Sequence, residues 1–480
     1  MKLDFKDIQG LVVSSYKHLP WAAFLLLRIK TAAGARSWLS LHLPEITTSE
    51  GRKSEGSINI AFTGTGLKNL GLKDYICASF STPFQEGMTT THRTRILGDA
   101  GNNSPSHWAW GGPEKSVDVL LLMYAKDEDP LMTLLNAMRK HPTFLEAFDE
   151  VDLVRCERQP DNREHFGFRD GIGQPVMEGT GNKKRQLQRT HHATELPAGE
   201  FLLGYKNVYN VTADGPVVAE HDDPYNVLVP VGDEFTGLNK QQGMHYLGLN
   251  GTYLVLRQLS QDVAKFWQFV DAASRDENGN SNLRQRDELG AKLVGRWKGG
   301  APLVLSPAEN DPEMEEDNNF GYWTSDPMGW SCPVGSHIRR ANPRDSLGPD
   351  PSTARDSANR HRILRRGRSY GPRIHNELVD DRVERGLIFI ALNSDIERQF
   401  EFVQNTWLNN PVFAGLDGEV DPLVGNLPRG DCVFTIQRQP VRSRIHGLSQ
   451  FVTVKGGAYF FLPSLKALKY LTTLESESNR

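Results

Sequence analysis

Short apolar segments alternate with polar turns over the first 150 residues, and this pattern predicts alternating strands and helices. Three segments have the apolar, strand-forming composition of buried strands, at residues 21–29, 58–62 and 117–124. Residues 129–148 follow the third segment, and their apolar positions recur with helical spacing. Such a succession of strands and helices is common in α+β domains. The pattern therefore predicts an α+β fold.

The later part of the chain repeats this alternation. Residues 260–273 predict an amphipathic helix, and residues 395–408 predict another, with Asp395 as its N-terminal cap. Apolar segments predict further strands at residues 201–205, 252–256 and 386–392. The similar plan of the two parts predicts two domains, residues 1–190 and residues 191–480, each of ordinary size.

Composition narrows the classes of function. The chain has 480 residues, with 55 basic and 59 acidic side chains and a net charge of −4. A nucleic-acid-binding protein normally shows a basic face or tail, so this class is disfavoured. The four cysteines are scattered and form no Cys-x-x-Cys pair, which indicates reduced thiols and not a zinc site or a disulfide framework.

The N-terminal residues lack the basic start and apolar stretch of an export signal. The apolar run at residues 24–27 is far too short to cross a bilayer and is followed by charge. These features predict a soluble, cytoplasmic protein that makes no membrane contact.

A segment around His337 combines one histidine with turn-forming residues and several arginines. Pro333 and Gly335 precede the histidine and allow the backbone to change direction there. The arginines that follow are Arg339, Arg340 and Arg344. An iron porphyrin needs such a set, because an imidazole binds the iron and guanidinium groups pair with the two propionates. A surface turn with a hydrogen-bonded histidine is the commoner use of the same residue types.

Two other segments carry candidate chemistry. Asp170 lies among glycines in the sequence Gly-Phe-Arg-Asp-Gly-Ile-Gly, where the backbone can approach a ligand closely. Arg365 follows an apolar pair in Ile-Leu-Arg-Arg-Gly. Taken singly, the first segment fits a tight Asp-Gly turn and the second fits a basic loop.

Together, the three segments resemble the dye-decolorizing peroxidase family of haem enzymes. The glycine-x-x-Asp-Gly element at Asp170 and the downstream His337 and Arg365 match the hallmark of that family. Further similarities run nearly end to end, at residues 7–10, 62–67, 97–99, 108–110, 295–297 and 385–389. The resemblance implies two ferredoxin-like domains, each an antiparallel β-sheet with flanking helices, and a bound haem b.

The resemblance also implies the roles of individual residues. His337 is the expected axial ligand of the haem iron, and Asp170 and Arg365 are the expected catalytic residues on the distal face. The other expected cofactor contacts are Arg339, Gly171, Leu387 and Phe389. Position 367 is glycine where some bacterial relatives have asparagine. This difference leaves open how much Asp170 and Arg365 each contribute to catalysis.

These residue types suit the chemistry of hydrogen peroxide. An ionised Asp170 can take a proton from peroxide and return one to the departing oxygen. Arg365 can stabilise negative charge as the O–O bond breaks, and it keeps the carboxylate ionised to lower pH. An acidic partner on the second nitrogen of His337 would strengthen its electron donation to iron. Asp421 is the first candidate for this partner, and Glu419 and Glu401 are the alternatives.

The predicted reaction is reduction of hydrogen peroxide coupled to one-electron oxidation of bulky dyes and phenols. Because dyes cannot enter a pocket shaped for peroxide, a surface aromatic is expected to relay electrons. Tyr370 and Trp407 are the candidates, and both also fit as core residues. Manganese(II) is a further candidate substrate, for which the acidic residues 221–223 and 313–317 are possible ligands. Solvated loops explain these two acidic clusters more simply.

Two other functions are compatible with the same motifs. One is a haem-storage or haem-delivery protein with little turnover, and the other is an α+β scaffold that keeps the motifs as turns without haem. A carrier needs the histidine but neither a distal acid nor a distal arginine, so Asp170 and Arg365 favour catalysis. A homo-oligomer is compatible with the sequence.

Overall fold

The computed structural model describes residues 2–51, 55–180, 195–236, 243–426 and 432–474. Its strands are β1 (Trp21–Ile29), β2 (Gly56–Phe62), β3 (Val119–Ala125), β4 (Phe148–Glu157), β5 (Val176–Met177), β6 (Glu195–Leu196), β7 (Val217–Ala219), β8 (Val229–Pro230), β9 (Met244–Tyr246), β10 (Thr252–Gln261), β11 (Leu364–Arg365), β12 (Arg368–Tyr370), β13 (Gly386–Asn393), β14 (Phe434–Ile436), β15 (Ser443–Ile445) and β16 (Val452–Leu462). The α-helices are Gly10–Val13, Ala32–His42, Gly64–Asn69, Asp74–Cys77, Thr82–Glu86, Thr91–Leu97, Glu128–Lys140, Pro142–Ala147, Val263–Ala273, Leu283–Val294, His337–Ala341, Pro351–Asn359 and Leu465–Thr472. Wider π-helical turns occupy Glu397–Glu401 and Val403–Leu408. Short 3₁₀ turns occur at Leu43–Glu45, Gly101–Asn103, Pro105–His107, Ala198–Glu200, Glu220–Asp222, Pro312–Met314 and Phe413–Gly415.

The first four long strands form an antiparallel sheet in the order β2-β3-β1-β4. Helix Ala32–His42 connects β1 to β2, and helices Glu128–Lys140 and Pro142–Ala147 connect β3 to β4. Every residue of β3 is buried, which explains why this strand is apolar throughout and does not alternate. The connectivity is that of one ferredoxin-like unit.

The second half repeats this plan with β16, β10, β13 and β12 as neighbours. Helix Val263–Ala273 follows β10, and the π-helical turns of residues 397–408 follow β13. Strands β11 and β12 lie one after the other along β13. The predicted α+β fold with two ferredoxin-like units is therefore confirmed.

The two halves share one sheet, which the sequence did not predict. Within the described residues, nine strands form a single sheet, and β10 also pairs with β13, so eight of them close into a barrel. The halves meet at two narrow seams, the single residue pairs Phe461–Phe62 and Tyr370–Cys156. Closure leaves no free edge between the halves. The predicted domain boundary between residues 190 and 191 lies outside the described residues.

Several predicted elements differ in detail. The prediction of a strand at residues 201–205 is wrong. This segment follows a 3₁₀ turn, and its side chains are apolar because they are buried in the core. The helix predicted at residues 129–148 is divided at Pro142, whose ring cannot continue a helix, and its last residue belongs to β4. The helix predicted from residue 260 begins at Val263 and is capped by Asp262. No helix among the described residues is both long and apolar enough to cross a membrane.

Candidate active site

A cavity of about 310 Å³ is lined by strands of the barrel and by loops from both halves of the chain. It collects the segments around Asp170, His337 and Arg365, which are far apart in sequence. Its volume lies at the lower end of the range of about 300–1,000 Å³ that is usual for cofactor and substrate sites. Apolar walls come mainly from Phe166, Phe168, Leu259, Ile338, Val403 and Val454.

His337 enters this cavity from the first position of helix His337–Ala341. Its Nδ1 lies 2.9 Å from Oδ2 and 3.1 Å from Oδ1 of Asp421, a fully buried carboxylate. Asp421 also accepts hydrogen bonds from the backbone N–H groups of Leu423 and Val424. This arrangement orients the ring and leaves Nε2 as the nitrogen available to a metal.

The interaction between His337 and Asp421 stabilises the charged form of each side chain. Burial lowers the pKa of His337, but the carboxylate of Asp421 outweighs burial, so the pKa of the imidazole lies above its ordinary value. Burial raises the pKa of Asp421, and the interaction with His337 outweighs that effect, so its pKa is lowered. The alternative acids are engaged elsewhere: Glu419 binds Thr435, and Glu401 binds Arg93 and Tyr459.

Asp170 and Arg365 form an ion pair in the same cavity. The Nη1 of Arg365 donates to Oδ1 of Asp170 at 3.0 Å, and the backbone N–H of Gly171 donates to the same oxygen at 2.6 Å. Gly171 has φ = +81°, a conformation that residues with a side chain rarely adopt. The side chain of Asp170 is 43% exposed because it faces the open cavity.

The pKa of Asp170 reflects two opposing effects. Desolvation by the surrounding protein raises it, whereas the charge of Arg365 and the hydrogen bonds from Gly171 and Arg365 lower it. The lowering effects are larger together, so the pKa of the carboxyl lies below its ordinary value. Asp170 is therefore ionised at neutral pH and can accept a proton.

Leu387 and Phe389 wall the cavity beside this ion pair. They are alternate residues of β13 and therefore point to the same face of the strand. Gly367 lies against the same strand, and a Cβ there would approach the carbonyl oxygen of Ile388 to 2.6 Å. This close approach favours a residue without a side chain at position 367.

Arg339 does not line the cavity, so the structure does not support its predicted role in cofactor binding. Its guanidinium is buried, donates to Asp326 and to the carbonyl of Cys332, and lies 4.3 Å above the ring of Tyr322. Arg340 is also buried and donates to backbone carbonyls. A residue two positions after His337 in a helical turn points away from the face that the histidine occupies.

Five arginines line the cavity besides Arg365. Arg169 pairs with Glu315 and Arg257 pairs with Asp99. The other three are Arg296, Arg344 and Arg362. Within the described residues, none of them has a carboxylate at salt-bridge distance. Their donors meet oxygens of neutral groups, such as the carbonyl of Gly300 for Arg296 and the carbonyl of Gly173 for Arg362. Burial and neighbouring arginines lower the pKa of both of these guanidinium groups to about 9. The cavity therefore offers uncompensated positive charge to an anionic group of a ligand.

Sequence reasoning identified Arg344 in the segment after His337 but assigned no role to Arg296 or Arg362. Arg296 lies in the segment at residues 295–297 that carries the family resemblance, and Arg362 immediately precedes the segment that begins at Ile363. The only signal in the sequence was a basic residue beside an apolar one, which is common. Their convergence depends on the fold.

Comparison with known proteins identifies relatives of this chain. A family profile described as "DyP dimeric alpha+beta barrel domain" matches residues 7–160. Dye-decolorizing peroxidase msp1 of Mycetinis scorodonius is 30% identical over 97% of this chain and 87% of its own length. Multifunctional dye peroxidase DyP2 of an Amycolatopsis species is 30% identical over 93% of this chain and 91% of its own. A crystal structure of a decolorizing peroxidase from Auricularia auricula-judae superposes with a TM-score of 0.77, at 25% identity, over 98% of this chain and all of that one.

The chain belongs to the dye-decolorizing peroxidase family. It is thus a peroxidase, an oxidoreductase that depends on hydrogen peroxide, in a family of haem enzymes. Extensive similarity along both chains means that the resemblance inferred from the three motifs holds for the whole protein.

Neither aromatic residue predicted as a surface relay of this peroxidase lies at the surface. Tyr370 is 7% exposed and Trp407 is 6% exposed. The hydroxyl of Tyr370 donates to Glu384 at 3.3 Å. Trp407 packs edge-on against His361, which lines the cavity, with ring centroids 5.2 Å apart. The prediction of a surface position is therefore wrong for both, and Trp407 contacts the cavity lining through His361.

The acidic clusters predicted as manganese ligands are engaged within the peroxidase fold. Asp222 binds Lys73 and Tyr75, and Asp223 binds His245. In the second cluster, Glu315 pairs with Arg169. No group of three or more histidine, cysteine or acidic residues in the described ranges is arranged to hold a metal ion. These clusters do not support the manganese prediction.

Proposed function

We propose that this peroxidase holds haem b in the cavity through His337 and reduces hydrogen peroxide with Asp170 and Arg365, while oxidising dyes and phenols by one-electron steps. The observation that carries the proposal is that one cavity contains both a carboxylate-bound histidine and an acid–arginine pair. A carboxylate–histidine pair is a common metal-binding arrangement, and a positioned acid is what proton transfer requires.

The lining of the cavity fits haem on three independent grounds. Nε2 of His337 is available for the iron, because Asp421 occupies Nδ1. Arg296, Arg344 and Arg362 lack carboxylate partners among the described residues and can pair with the two propionates. Phe389 and its apolar neighbours can enclose the porphyrin face. When bound, the haem supplies the redox centre that accepts oxidising equivalents from peroxide and passes them to reducing substrates.

The roles of the distal side chains follow from their charges. The carboxylate of Asp170 accepts a proton from hydrogen peroxide and returns it to the oxygen that leaves as water. The guanidinium of Arg365 donates hydrogen bonds to peroxide and stabilises negative charge that develops as the O–O bond breaks. The ion pair between them holds both groups in position before peroxide enters.

The second candidate function is haem storage or delivery. The presence of both Asp170 and Arg365 favours turnover, because haem retention alone requires neither. A cytoplasmic location, a homo-oligomeric state and division into domains at residues 190 and 191 stay predictions from the sequence. An electron path through Trp407 and His361 is our proposal for the oxidation of dyes too large for the cavity.

Addition of peroxide to the haem-loaded protein tests the proposed function. We expect an intense Soret absorption band that changes within milliseconds to seconds after one equivalent of hydrogen peroxide is mixed in a stopped-flow cell. The original spectrum should return when a phenol or a dye is added. A Soret band that peroxide leaves unchanged would favour the storage function, and a protein that binds no haem would contradict the cofactor.

The pH dependence of that reaction should change in an Arg365→Leu variant. Arg365 lowers the pKa of Asp170, so the wild-type base stays ionised until the pH falls through a value below the ordinary one. Without the guanidinium, desolvation raises this pKa, and protonation removes the base at higher pH. The acid limb of the rate–pH profile should therefore move to higher pH. Rate constants for peroxide measured from pH 3 to 8 check this, and coincident acid limbs in both proteins would contradict it.

A further inference from the structure

A second, smaller cavity of about 100 Å³ adjoins the candidate active site. It shares Glu164, Asp170, Gly171, Arg365 and Leu387 with the main cavity. We refer to this second cavity as the vestibule. Its other walls come from Ser15, Lys17, Arg158, Gln159, Asn162, Arg163, Gln174 and residues 366–369. Lys17 at its rim is exposed to solvent. The vestibule therefore lies between the protein surface and the Asp170–Arg365 pair.

Positive charge dominates the lining of the vestibule. Six cationic residues line it: Lys17, Arg158, Arg163, Arg365, Arg366 and Arg368. The acidic side chains in the lining are Glu164 and Asp170. In the part of the chain that the structure describes, Lys17, Arg158, Arg366 and Arg368 have no carboxylate at salt-bridge distance.

Backbone carbonyls hold these arginines without neutralising them. Arg366 donates to the carbonyls of Leu11 and Val12, and Arg368 donates to those of Ser15 and Tyr16. Arg368 is 5% exposed, and its Nε has no hydrogen-bond partner. The guanidinium of Arg368 lies 5.3 Å from the ring of the buried Tyr124, so it faces the core and acts on the vestibule through its charge. Burying a charge without a counter-charge is costly, so an anion in the vestibule would offset part of that cost.

The other charged groups of the lining do not neutralise the positive charge of the vestibule. The carboxylate of Asp170 is paired with Arg365. Glu164 accepts hydrogen bonds from the N–H groups of Phe166 and Phe168, and burial raises its pKa to about 7, which weakens its negative charge at neutral pH. Burial lowers the pKa of Lys17 and of Arg158, and the positive charge of a neighbouring arginine lowers each further.

We propose that the vestibule is a binding site for one small oxyanion, such as inorganic phosphate or sulfate, and that an occupied vestibule slows the access of peroxide to Asp170. Forked guanidinium donors match the oxygens of such anions. A volume of about 100 Å³ suits a tetrahedral oxyanion and is too small for a polycyclic dye. The binding step is independent of the proposed function, whereas its effect on peroxide rests on that function.

Phosphate binding to the full-length, haem-loaded protein tests the site. Calorimetric titration with inorganic phosphate, at an ionic strength held constant with sodium chloride, should give saturable binding of one anion per chain. Arg158→Gln or Lys17→Gln should each weaken binding by about tenfold or more, the loss expected for one charge-assisted hydrogen bond. Lys17 is exposed, so its variant serves if the Arg158 variant does not fold.

Arg155→Gln is the matched control. Arg155 lies three residues before Arg158 on β4, its side chain is 58% exposed, and it does not line the vestibule. Its removal changes the net charge equally, and we expect phosphate affinity to stay within about twofold of wild type, as is usual for an exposed charge. Absence of saturable binding, or an equal loss in the Arg155 variant, would overturn the site.

The effect on peroxide is measured separately. At constant ionic strength, the rate constant for the reaction with peroxide should fall as the phosphate concentration rises and then reach a plateau. The phosphate concentration that gives half of this fall should equal the one that half-saturates binding. Saturable binding without this fall would overturn the access role and keep the site. A protein that binds phosphate but never reacts with peroxide would contradict the proposed function and leave the anion site standing.

Discussion

Replacement of Asp170 by asparagine is expected to slow the reaction with hydrogen peroxide by about 10²–10⁴-fold, the usual contribution of a general acid–base group. The amide oxygen can still accept the hydrogen bond from the N–H of Gly171, so the loop should keep its conformation. An amide cannot accept the proton of peroxide, so the chemical function is lost and the shape is kept. Stopped-flow measurement of the second-order rate constant, with haem content determined beforehand, checks this expectation.

Asp161→Asn provides the matched control for this substitution. Asp161 lies in the same part of the chain, pairs with Arg373 and is 41% exposed, but it does not line either cavity. Its variant should react with peroxide at the wild-type rate. If Asp170→Asn also reacts at that rate, the proton acceptor is another group. Loss of haem in the Asp170 variant would mean that the residue is structural.

His337→Ala should produce the largest loss of haem retention of any single substitution in the cavity. Asp421→Asn should weaken retention by about 10–100-fold, the usual effect of removing the partner of a metal-binding histidine. His337→Ala removes the nitrogen itself, so its effect should exceed that of Asp421→Asn. Transfer of haem to an excess of apomyoglobin gives the rate of loss for each variant, and the Soret spectrum reports the change in ligation.

His361→Ala distinguishes loss of a ligand from loss of packing. His361 also lines the cavity, but it stacks on Phe402 with ring centroids 3.7 Å apart, and its Nδ1 contacts the carbonyl of Arg398. Its variant should keep the wild-type Soret spectrum. A wild-type spectrum in His337→Ala as well would remove His337 as the axial ligand.

Local sequence predicted the elements whose signals are local. The apolar runs of β1 and β13 are visible as strands because six of the nine residues of β1 and six of the eight residues of β13 are buried. The segments around Asp170, His337 and Arg365 were also visible, because glycine, proline and charged residues occur together in them. Helix ends were not visible in the same way, since the helix predicted from residue 260 begins at Val263 and is capped by Asp262.

The direction in which a side chain points was not visible in the sequence. Arg339 and Arg344 follow the same histidine, yet Arg339 is buried against Asp326 and Arg344 lines the cavity. A positive φ of +55° at Arg344 turns the backbone at that point. The burial of Tyr370 and Trp407 was also not visible in the sequence, because aromatic residues occur both in cores and at surfaces.

The sequence by itself determined the α+β class, the repeated plan of two halves and the three segments that carry the chemistry, because each depends on residues close together in the chain. Only the tertiary structure decided how they combine. Asp170 meets Arg365 across 195 residues, and His337 meets Asp421 across 84. The barrel that brings them together closes through two single residue pairs. Contacts of this kind depend on the packing of whole sheets, and no local pattern of residues encodes them.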